Sequence, residues 1–146
     1  MGYIQGMKKL LFGILLFTAS LANAGMWGDN YAAGLEQAKT EGKFVLLDFT
    51  GSDWCGWCMK LDKEIFATPE FADYAAKNLV LLQADFPRSK PQSAELKAQN
   101  AKLQQQFQIQ GYPTLIILNS SGKQIGEMGY MDGGPKPFLA KLSQLK

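Results

Sequence analysis

Three short runs, Phe44–Thr50, Leu79–Asp85 and Thr114–Leu118, are almost wholly apolar, and they limit the possible folds more than any other feature of the chain. A strand with one wet face alternates apolar and polar residues, whereas consecutive apolar positions need both faces covered. The segments between these runs carry helical punctuation. Asp29 and Asn30 can cap a helix from Tyr31 to Thr40 that stops at Gly42. Thr68-Pro69-Glu70 supplies a cap, a proline at the first helical position and an acid in the first turn, for a helix running to Asn78. Ser93 heads a Gln-rich helix with Leu96, Leu103 and Phe107 on one face, its Gln run being read as solvated, and Phe138, Leu139, Leu142 and Leu145 mark a closing helix. Residues 119–122 form a turn, followed by a more polar strand from Lys123 to Met128, suited to an antiparallel edge. Strands that alternate with helices imply parallel pairing, and the last two strands a hairpin. The expectation is one α/β domain with a mixed central sheet flanked by helices on both faces.

Where the first apolar run ends, Gly51-Ser52 breaks the strand, and Asp53-Trp54-Cys55-Gly56-Trp57-Cys58-Met59-Lys60 opens a helix expected to reach Phe66. The segment holds both cysteines of the protein. As a structural staple a bridge across two residues is poor, because so small a loop removes little entropy from the unfolded chain. A structural zinc site needs four ligands, usually Cys or His, and the chain has no histidine and no third cysteine. Dithiol redox chemistry is left as the leading reading, with a purely structural bridge as its alternative. At the head of a helix the Cys55 sulfur would face unpaired N–H groups that favour the thiolate, so Cys55 is the expected nucleophile. Cys58, one turn in, is the expected resolving thiol and the more buried of the two. Gly56 would let the first turn bend tightly and keep the approach to Cys55 open. Trp54 is divided between core packing and substrate contact, and Asp48 is conspicuous as the acid of an apolar strand.

The N-terminus reads as an export signal. Lys8-Lys9 precede an apolar stretch over residues 10–21 and Ala22-Asn23-Ala24, an A-x-A cleavage site. Residues 1–24 are therefore expected to be a signal peptide and 25–146 the mature domain; a retained membrane anchor is the alternative. Loss of Lys8 and Lys9 leaves 13 basic against 13 acidic residues, a balance that argues against nucleic acid. Arg88-Ser89-Lys90 looks like a solvated loop without a link to the cysteines.

With these elements in order, the chain resembles the thioredoxin superfamily across the mature region. The residues that carry the likeness are Val45-Leu46-Leu47-Asp48-Phe49, the Trp54 to Cys58 motif, Tyr112-Pro113-Thr114 before a buried strand, and Gly129. The stretch from Gly51 to Lys60, followed by Glu64-Ile65-Phe66, is similar to exported thioredoxin-like proteins described as disulfide isomerase-like. It differs from thioredoxin in having an extra residue between Asp48 and the motif, Trp57 in place of proline, and no lysine near Leu81. The resemblance implies a cis Tyr112-Pro113 bond facing the motif, with the Tyr112 backbone offered to an extended substrate. It implies that Thr114 and Gly129 help bind substrate along with that loop, turns Trp57 outward toward substrate, and sets Asp48 beneath Cys58 as its proton acceptor.

The function expected is an exported, periplasmic thiol-disulfide oxidoreductase, working without a cofactor beyond its own disulfide and without a metal. Its partners would be cysteine-containing exported proteins and a membrane thiol electron donor. Strong oxidants of the superfamily gain from a histidine between the cysteines, absent here, and the 25–146 segment has no room for a dimerisation domain of the kind isomerases use. A monomeric reductase is therefore favoured over an isomerase or oxidase, and over a non-catalytic peptide-binding module.

Overall fold

The computed structural model describes residues 27–145. The expected signal segment lies outside them, and among the described residues no helix is long and apolar enough to cross a membrane. The elements run α1 (Tyr31–Glu41), β1 (Phe44–Thr50), α2 (Gly56–Leu61), α3 (Pro69–Asn78), β2 (Leu79–Asp85), α4 (Ala94–Gln106), β3 (Thr114–Leu118), β4 (Gln124–Met128) and α5 (Pro135–Ser143). Side-chain caps start α1, α3 and α4: Asn30 accepts from Ala33 N–H, Thr68 from Phe71 N–H and Ser93 from Leu96 N–H. Gly42 ends α1 in the left-handed conformation at φ 65°, where any other residue would be strained.

The four strands lie in the order β2-β1-β3-β4. Strict alternation along β1 divides the core in two. Leu46 joins Leu61, Ile65, Phe71, Leu81, Leu115, Phe138 and Leu142 on the face covered by α2, α3 and α5. Val45, Leu47 and Phe49 join Ala38, Leu82, Leu103 and Ile116 on the face covered by α1 and α4. Both faces are covered, which is why the strands read as continuous apolar runs.

Two features depart from expectation, and a third has no counterpart in the sequence pattern. Only β1 and β2 are parallel; β3 runs antiparallel to β1, with Thr114 beside Phe49, while Asp85 lies beside Thr50. The connection through α4 thus leaves and returns at the same end of the sheet, and β3 must run back; helical periodicity carries no information about that direction. The helix begun at Gly56 becomes a π-helical turn over Asp62–Phe66 instead of continuing regularly. Finally, the outer edge of β2 is partly covered by Gly28, which accepts from Gln83 N–H at 2.8 Å and donates to the Leu81 carbonyl at 2.9 Å.

Candidate active site

The C-terminal end of β1, the loops after β2 and before β3, and the head of α2 meet at one end of the sheet. Cys55 caps α2 in an extended conformation and its Sγ accepts from the Cys58 N–H at 3.2 Å. The two sulfurs are bonded as a disulfide, with Cα atoms 5.2 Å apart. Cys58 is 5% exposed and Cys55 7%, so burial hardly separates them. The distinction between them is electrical: the donated N–H and the open head of the helix favour negative charge on Cys55 Sγ. Gly56 faces open space, and a Cβ there would meet nothing within 4 Å, so packing does not demand a glycine. The expected tight bend does not need it, because its φ is not positive.

Asp48 is two residues beyond Leu46 in β1 and so shares its face, the one that looks toward α2. It is 4% exposed, and its Oδ1 is buried without a hydrogen-bond partner. Burial lifts the carboxyl to about 7; Gln83, its neighbour across the β1–β2 pair, works in the opposite direction, and the charges of Asp62 and Asp85 add to the rise. Asp62 begins the π-helical turn that follows α2, and its charge acts on Asp48, so this buried acid lies near the end of the helix that carries Cys58. A group half-ionised near neutrality can hold or release a proton there.

Trp54 is bound into the framework. Its indole N–H donates to the Phe86 carbonyl at 2.7 Å, its ring meets Tyr112 edge-on at 5.8 Å, and a Cβ on Gly51 would collide with it. The Arg88 guanidinium sits 3.8 Å from the same ring's centre. Arg88 is therefore linked to the motif, contrary to the sequence expectation. Its loop is not simply solvated either. The Asp53 carboxylate accepts from the backbone N–H groups of Arg88, Ser89 and Lys90 at 2.9, 2.7 and 3.1 Å, and the first two hold its pKa below the usual carboxylate value. No local sequence pattern announces bonds spanning some 35 positions.

On the other side of the disulfide, Trp57 is 58% exposed and Met59 46%. Lys60 Nζ lies 5.1 Å from the Trp57 ring centre and 4.8 Å from that of Tyr130. The Tyr130 hydroxyl donates to Glu64 at 2.6 Å, which fixes this aromatic pair against the helix. No local sequence pattern marks Tyr130.

The Tyr112-Pro113 peptide is cis. The Tyr112 hydroxyl accepts from Gln104 at 2.7 Å, so at least one member of the Gln run is tied to the site and not merely solvated. Thr114 donates to the Gly111 carbonyl at 2.7 Å, closing the turn before β3. A Cβ on Gly129 would lie 3.7 Å from the Pro113 carbonyl oxygen, an ordinary contact that places Gly129 beside the loop without demanding a glycine. Among the described residues, no group of three or more His, Cys, Asp or Glu side chains could hold a metal ion.

Comparison with known proteins agrees with this geometry. A family model for the thioredoxin-like domain matches residues 31–146. The disulfide bond reductase DsbH of Chlamydia pneumoniae is 35% identical over 125 residues, covering 86% of this chain and 75% of the relative. The thiol:disulfide interchange protein DsbD of Vibrio cholerae is 34% identical over 116 residues, covering 77% of this chain but only 17% of the relative. A solved DsbH oxidoreductase superposes with a TM-score of 0.78 at 35% identity, covering 82% of this chain and 83% of that one. With its paired cysteines at the head of α2, the chain belongs to the thioredoxin-like family and is a thiol-disulfide oxidoreductase.

Proposed function

We propose that this protein is an exported, periplasmic reductase of protein disulfides. The observation that carries this is the Cys55–Cys58 pair bonded at the head of α2, in a domain whose central strand holds a buried acid with a pKa of about 7. In the reduced protein the Cys55 thiolate attacks one sulfur of a client disulfide. A Cys55–client bond forms, and the other client sulfur leaves as a thiolate that takes up a proton. Cys58 then gives its proton to Asp48 and attacks Cys55 Sγ. The mixed disulfide breaks, the second client thiol leaves, and two electrons have passed to the client. The protein is left oxidised and is recharged by a membrane dithiol donor; it uses no cofactor beyond its own sulfurs.

Two observations favour reduction over oxidation. The chain has no histidine to stabilise the thiolate between the cysteines, and one relative that it covers over most of its length carries the name disulfide bond reductase. Trp57 supplies an exposed apolar contact for the client, and the Tyr112 backbone an edge for an extended client segment. Thr114 and Gly129 shape the same loop.

The test is reduction of insulin disulfides by the dithiothreitol-reduced protein, combined with trapping by single-cysteine variants. Cys58→Ser should accumulate mixed disulfides through Cys55, and Cys55→Ser should not. Trapping by Cys55→Ser alone would reverse the assignment, and an inert wild-type protein would leave only a peptide-binding module.

A further inference from the structure

The rim of the site holds an unspent cation. Arg88 is the chain's only arginine. Asp53 grips three consecutive backbone N–H groups at residues 88–90, which fixes the loop against the motif. The Arg88 side chain then lies over Trp54, the residue next to Cys55, at 3.8 Å from the ring centre. Contact with a ring face holds a guanidinium in place while leaving its N–H edges free. Among the described residues, Arg88 makes neither a salt bridge nor a side-chain hydrogen bond, the two salt bridges being Lys43 with Glu41 and Lys60 with Asp132. The nearby acids are engaged elsewhere: Asp53 with the loop backbone, Asp85 with the Ser52 N–H at 2.9 Å and hydroxyl at 2.5 Å. Across the disulfide, Lys60 has Asp132 as a counter-ion at 3.9 Å. The site therefore offers one oriented, uncompensated fork of donors, beside the nucleophile.

We infer that Arg88 is a specificity residue that receives a carboxylate of the client, an Asp or Glu within two or three residues of the cysteine under attack. This rests on the reductase reading and names the clients it favours. Trp54 links the two halves of the geometry: one contact is with Arg88, another with Tyr112. A client segment laid along the Tyr112 backbone passes the Trp54 rim, and a guanidinium there pairs with a carboxylate in two parallel hydrogen bonds, a geometry that lysine cannot reproduce.

The test uses two symmetric disulfides of a nine-residue peptide, with the single cysteine flanked two positions away on both sides by Glu in one and Lys in the other. Second-order rate constants for single-turnover reduction by the reduced protein are compared within each variant, so that any loss of folded protein cancels in the ratio. The Glu peptide should react about fivefold faster than the Lys peptide with wild-type protein in low salt, as expected of one exposed charge contact. The ratio should shrink in high salt, fall toward one in Arg88→Gln, be partly kept in Arg88→Lys and invert in Arg88→Glu. An unchanged ratio in Arg88→Gln, or no preference in the wild type, overturns the inference while leaving the reductase reading intact. Failure to exchange with either peptide overturns both.

Discussion

Asp48 makes the folded protein sensitive to pH in a direction opposite to that of most carboxylates. Its folded pKa is about 7 against an ordinary 3.8, so between those values the folded chain binds the proton that the unfolded chain has released. The stability of the acid form is fully present below pH 3.8, declines as pH rises, and is lost once pH passes 7. The gap of roughly three pH units corresponds to about 4 kcal/mol at pH 9, of which about 1.7 kcal/mol has already been lost at pH 5. Asp48→Asn keeps the shape and removes the charge. Any cost of burying the amide is independent of pH, so it disappears when the variant-minus-wild-type differences at two pH values are subtracted. Urea unfolding of the oxidised proteins should show the variant gaining about 2 to 3 kcal/mol on the wild type between pH 5 and pH 9. A difference that stays flat across that range would show that Asp48 ionises normally in the fold, and the base role would lose its physical ground.

In the reaction, Asp48→Asn should slow release of the second client thiol more than formation of the mixed disulfide; equal slowing in quenched-flow trapping would argue against proton transfer to this group. Trp54→Ala removes the indole bond to Phe86 together with the contacts to Arg88 and Tyr112, and should cost about 3 kcal/mol in denaturant unfolding. A cost below about 1 kcal/mol would mean that the ring is not a framework element. Asp53→Asn should speed amide hydrogen exchange at residues 88–90. Because the Asp53 pKa is lowered by the N–H groups it binds, the wild-type protection should persist through the ordinary carboxylate range and fade only at more acid pH. Protection unaltered in the variant would show that the loop holds itself in place.

The sheet was legible because burial on both faces leaves its mark at most positions of β1, β2 and β3, and α1, α3 and α4 because Asn30, Thr68 and Ser93 are caps with a local mechanism. The dithiol was legible because the absence of histidine and of further cysteines removed its competitors. The long-range contacts were not. Asp53 reads as a loop acid until the fold brings residues 88–90 to it, and Arg88 reads as a solvated charge until Trp54 lies beneath it. The same holds for Asn100, buried in α4 and bonded to the Asp85 carbonyl at 3.0 Å, and for Gln104, which reaches Tyr112. The direction of β3 depends on where α4 returns the chain, a property of tertiary packing with no local residue pattern. Gln83 acquires meaning only from strand register, which sets it opposite Asp48.

The direction of electron flow is tested most directly by the equilibrium potential of the Cys55–Cys58 couple, read by thiol trapping against dithiothreitol or glutathione buffers. A reductase should poise near thioredoxin's value of about −270 mV, and a value of about −120 to −180 mV would contradict the account, marking the protein as an oxidant or isomerase of its clients.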